Sequence, residues 1–174
     1  MNRQIAALLY AFSAVALGST ADISKVNSSI TVAPGQEAGD VSTVNGSIEI
    51  GADARVRDVD TVNGSIRIGQ RARAQEVDTV NGGITVGEDA VISEDVGTVN
   101  GDIFVGTGSR VEGGLLVEKP GGWNWSRHEH LPRVTIEAGA EVKGSLRFER
   151  EVELKVEQGA IIGAIEGVAP RRVE

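Results

Sequence analysis

Residues 43–48 read Thr-Val-Asn-Gly-Ser-Ile, and residues 61–66, 18 positions on, read the same six residues again. The pair Val-Asn recurs at Val26–Asn27, Val44–Asn45, Val62–Asn63, Val80–Asn81 and Val99–Asn100, at spacings of 18, 18, 18 and 19 residues. Glycine follows at Gly46, Gly64, Gly82 and Gly101, and Ser28 takes its place in the first copy. An isoleucine lies four residues after each valine, at Ile30, Ile48, Ile66, Ile84 and Ile103. Self-similarity at a fixed short period marks a repeat architecture, in which each unit buries its apolar side only by stacking on its neighbours.

The period subdivides by six. Val44, Ile50, Val56, Val62, Ile68, Ala74, Val80, Val86 and Ile92 are all aliphatic or small, and after a one-residue insertion the beat resumes at Val99, Val105, Val111 and Val117. This beat is expected to mark the inward positions. Within it, Ser47-Ile48-Glu49-Ile50 alternates as a half-buried strand does. The repeats carry too much glycine and too many β-branched residues to sustain helices. Three six-residue sides make one triangular coil. The fold expected is therefore all-β, a single parallel β-solenoid (triangular β-helix) of about seven coils of 18 residues, some 33 Å long at ~4.8 Å per coil. A narrow core of stacked Val, Ile, Leu and Ala accounts for an aromatic content of 3%. Asn and Gly both tolerate positive φ, so Asn-Gly is read as a corner between sides, with the asparagines stacked into an amide ladder.

Outside the repeats, residues 1–21 have the three parts of a secretory signal: Arg3, an apolar stretch from Ile5 to Leu17, and small residues at Ser19 and Ala21. Cleavage is expected after Ala21, giving an exported chain destined for the periplasm or cell surface. The apolar stretch is short for a bilayer span of about 20 residues, and no second one follows, so no transmembrane span is expected in the mature chain. The repeat region then covers 22–168. It is interrupted at 118–132 by a loop holding both tryptophans, both histidines and two of the four prolines. Beyond it Ile136, Val142, Phe148 and Leu154 restore the beat of six, and 169–174 reads as a tail. A formal charge of −8 excludes a nucleic-acid partner, and the absence of cysteine excludes disulfides and thiolate chemistry.

Two clusters are candidates for binding. Asp58 and Asp60 flank Val59, and Glu76 and Asp78 flank Val77 one repeat later. With both valines inward, the four carboxylates stack as an outward quartet ~4.8 Å apart along the rod. Like charges so close repel unless compensated. Calcium is one compensating ligand and nearby arginines (Arg55, Arg57, Arg71, Arg73) are another, the competing reading being a plain solvated acidic face. The loop supplies Trp123, Trp125, His128 and His130, a set suited to contacting a cell-envelope glycan or protein, or else to covering the solenoid side. A threonine column at Thr43, Thr61, Thr79 and Thr98 suggests an ice-binding face but lacks the second column such a face needs. No nucleophile–base pair, phosphate loop or HExxH unit occurs, and two histidines fall short of a three-histidine zinc site, so no enzyme and no resident cofactor are expected.

The Thr-Val-Asn-Gly-Ser-Ile units resemble those of exported bacterial β-solenoid proteins of the adhesin-like family, over about residues 24–117. The run from Val134 to Leu146 and onward, within about 99–168, resembles bactofilins, the polymer-forming cytoskeletal family. The resemblance implies a right-handed coil and a non-enzymatic structural or adhesive role. It also implies end-to-end polymerisation without nucleotide, with a homo-oligomer or polymer as the expected assembly. The export signal departs from bactofilins, which are usually cytoplasmic.

Overall fold

The computed structural model of the chain describes residues 20–121 and 131–173, and every regular element among them is a β-strand. One coil shows why. Asp58–Asn63 forms the first side, Ile66–Ile68 the second and Arg73–Ala74 the third, after which Glu76–Asn81 returns directly onto Asp58–Asn63. Every strand pairing is parallel, the arrangement a coiling chain imposes. About seven turns stack in this way into three sheets. Face A runs from Ile23–Lys25 to Ile165–Gly167, face B from Ile30–Val32 to Arg171–Arg172, and the short face C from Arg73–Ala74 to Ile161–Ile162. Single bridges Glu37↔Arg55↔Arg73 carry face C back to the earlier coils. The result is the parallel β-solenoid that the 18-residue repeat predicts.

The core takes two side chains from each side of a coil. In one turn these are Val59 and Thr61, Ile66 and Ile68, then Ala72 and Ala74, all at most 4% exposed. This corrects the beat of six on face A. Val44, Val62 and Val80 point outward at 41%, 41% and 39% exposure, while Thr43, Thr61 and Thr79 fill the interior. Strand alternation requires it: Val59 and Val62 are an odd number of residues apart and cannot both face inward on one strand. The buried hydroxyls are satisfied, Thr61 donating to the Gly46 carbonyl at 3.0 Å and Thr79 to the Gly64 carbonyl at 3.1 Å. An interior threonine column cannot present an ice-binding face.

The corners also differ from expectation. The amide ladder forms, with Asn63 Nδ2 donating to Asn45 Oδ1 at 2.8 Å and Asn81 Nδ2 to Asn63 Oδ1 at 3.0 Å. Arg150 Nη1 donates to Asn100 Oδ1 at 3.0 Å at the ladder's far end. Yet the Asn-Gly corner does not use positive φ. A Cβ at Gly64 or Gly82 would overlap the glycine carbonyl one coil below, which is why glycine is needed there. Ser28 belongs to the first coil, where the repeat has no earlier glycine beneath it. Positive φ falls instead at the turn between faces B and C, at Gly35, Asp53, Arg71, Asp89, Gly108, Gly139 and Gly159, and once more at Gly167, which ends the last face A strand.

Leu115–Val117 stacks on Val96–Thr98 and Arg133–Ile136 stacks on Ile103–Val105, so register survives across the interrupting segment at a face A to face B corner. At the C-terminus Arg171 and Arg172 pair with Glu153 and Leu154, adding a rung to face B within the stretch read as a tail.

Candidate functional site

Face A presents three outward columns, because its strands are the longest in the solenoid. The corner column contains Asp58, Glu76 and Asp95, the middle one Ser42, Asp60, Asp78, Gly97 and Leu116, and the outer one Val44, Val62, Val80 and Val99. Pairing places Asp58 opposite Glu76 and Asp60 opposite Asp78, so the quartet read from the sequence does assemble. The groove between the columns encloses about 550 Å³ and opens along the face. Its valine wall is the part sequence reasoning missed, and the alternation around Val59 is the signal that locates it.

The carboxylates compete for charge. Asp78 is half-buried, and its carboxyl lies in the space a side chain at residue 97 would fill, a space Gly97 leaves free. Burial, then the charges of Glu76 and Asp60, push its pKa from the ordinary 3.8 up to about 7. A hydrogen bond with Glu76 acts in the same direction, the Asp78 hydroxyl donating to the Glu76 carboxylate. Glu76 is raised by burial and by Glu94, Asp58 and Asp60. Asp60 is raised too, first by burial of its carboxylate and then by Asp58 and Asp40, although the residue as a whole is exposed. Asp58 Oδ1 is shut off from solvent without a hydrogen-bond partner among the described residues.

Three of the four nearby arginines are paired with acids outside the quartet. Arg55 pairs with Glu37 at 3.1 Å, Arg57 with Asp40 at 2.9 Å and with Asp22 at 3.1 Å, and Arg71 with Asp53 at 2.8 Å. Among the described residues, no three His, Asp or Glu side chains converge as a metal ion would require. A proton held on Asp78 eases the repulsion between Glu76 and Asp78. Trp123, Trp125, His128 and His130 lie outside the described residues. No described helix is long and apolar enough to cross a membrane.

Compared with protein-family models, with curated proteins and with solved structures, the chain matches none. Its likeness to adhesin-like solenoids and to bactofilins therefore rests on the repeat residues, and the fold on the parallel ladders described above.

Proposed function

We propose that this chain is a non-enzymatic structural rod of the cell envelope that joins a second copy through the C-terminal end of its solenoid. The observation that carries this reading is the state of the last coil. Val156, Ala160, Ile162 and Ile165 are only partly buried there, and Ile161 is 62% exposed. Three strands of that coil, Ile161–Ile162, Ile165–Gly167 and Arg171–Arg172, end their sheets with one edge unpaired. Unpaired edges beside apolar side chains are templates for a further chain. At the opposite end Ile23 is only partly buried but the inward Ile30 and Val32 are 1% and 2% exposed, so among the described residues the C-terminal end is the more open of the two. A contact between two identical ends is self-complementary and closes at a dimer, whereas a filament needs both ends. Export is supported by the signal-like residues 1–21.

Light scattering of the purified chain over a concentration series tests this. A dimer mass is expected, reduced to monomer by Ile161→Lys with an unchanged circular-dichroism spectrum. A wild-type chain that stays monomeric at every concentration refutes the proposal.

A further inference from the structure

The face A groove has a chemistry the rod reading does not use. Its middle and corner columns carry Asp60, Glu76, Asp78 and Asp95, and its one cationic lining residue is Lys25, at the edge of the first coil. Of the arginines nearby, Arg57 is held by Asp40 and Asp22 in the coils before the quartet, and Arg71 by Asp53. Lys25 apart, no described cation lines these carboxylates. Beside them, two residues further along each strand, Val62 and Val80 stand about 40% exposed, in a column that a soluble face gains nothing by displaying. An acidic stripe and an apolar stripe thus run in parallel along the rod, the Asp78 carboxyl occupying the space that Gly97 leaves.

We propose that this groove holds a short extended segment of a partner protein, bearing lysine or arginine at alternate positions with apolar residues between them. An extended chain is the ligand whose two sides differ in this way, since successive side chains point to opposite faces. Its cations meet the carboxylate column and its apolar residues lie on the valine wall. The length also fits. From the rung of Ser42 to that of Leu116 there are four steps of ~4.8 Å, or ~19 Å, which at ~3.3 Å per residue accommodates about six residues. A simple polyamine satisfies the acidic stripe alone and leaves the valines exposed. The inference is independent of the solenoid's ends, so failure of dimerisation does not bear on it.

The test is fluorescence anisotropy of a labelled, N-acetylated hexapeptide, Lys-Val-Lys-Val-Lys-Val, titrated with the full chain. Saturable one-to-one binding is expected. It should weaken at least tenfold when Asp60→Asn and Asp78→Asn are combined, and at least tenfold when the peptide valines become serine. Val62→Lys, at an exposed position that folding tolerates, should weaken it comparably. Glu49→Gln on face B should leave it unchanged. The proposal is overturned by an absence of saturable binding, or by equal affinity for the valine and serine peptides. It is overturned equally if Glu49→Gln costs as much as the groove variants, because the peptide is then responding only to the net charge of −8.

Discussion

Replacing Asp78 by asparagine should stabilise this protein, and more so as the pH rises. In the folded chain the Asp78 carboxyl titrates at about 7, against an ordinary value of 3.8. The folded state therefore binds a proton that the unfolded state has already released, and stability falls as pH climbs from about 4 to about 7. A difference of about three units corresponds to ~4 kcal/mol, and because the groove is open to water we halve this to ~2 kcal/mol. The raised Asp60 and Glu76 act with the same sign. Wild type should lose ~1.5 kcal/mol between pH 5 and pH 8, the part of that window lying below 7. Asp78→Asn keeps the shape and removes the charge, so it should gain ~2 kcal/mol at pH 8, gain little at pH 4, and flatten the pH profile. Thermal melts followed by circular dichroism measure this, with ~2 kcal/mol appearing as roughly 4–8 °C in a chain of this size. Going below pH 4 is uninformative, because Asp53, held below the ordinary carboxylate range by its hydrogen bond to Arg71, then begins to lose that partner. A wild-type chain equally stable at pH 5 and pH 8, or an Asp78→Asn chain less stable at pH 8, would refute the account of the acidic columns.

Two further pairs of substitutions probe the stacking itself, each by thermal melting. Gly64→Ala drives a methyl into the Gly46 carbonyl and should cost about 1–3 kcal/mol. Gly83→Ser, at the place where Ser47 and Ser65 stand in earlier coils, meets the Asp102 carbonyl only at 3.2 Å and should cost less than Gly64→Ala, at most ~1 kcal/mol. Thr61→Val leaves the Gly46 carbonyl without its buried donor and should cost ~1 kcal/mol, whereas Val62→Thr on the outer side should be near neutral. If Thr61→Val is the neutral one of that pair, the assignment of inward and outward columns is wrong.

How far the sequence could be read depended on which period was consulted. The 18-residue repeat locates every coil, because stacking demands that equivalent residues lie above one another, and Asp58↔Glu76 and Asn63↔Asn81 follow from counting alone. The subdivision by six was less secure. It holds on faces B and C, where Ile50, Val56, Ile68 and Ala74 are buried, and it fails on face A, where the same beat lands on Val44, Val62 and Val80. Composition favours valine over threonine inside, and here strand parity overrides composition. With Val59 inward, Thr61 must be inward too, and the corner carbonyl of the coil below makes its hydroxyl tolerable. The glycines were legible as necessary but not for the right reason. Positive φ is a property of one residue, whereas the crowding of Gly64 on Gly46 exists only between coils and leaves no mark within either repeat. The candidate site divides along the same line. Its acids could be paired from spacing, but the groove needed the valine wall, and the wall appears only once parity has turned Val62 outward. Where composition and parity disagree in a repeat of this kind, parity should decide, because a one-residue slip moves a whole strand's side chains to the opposite face.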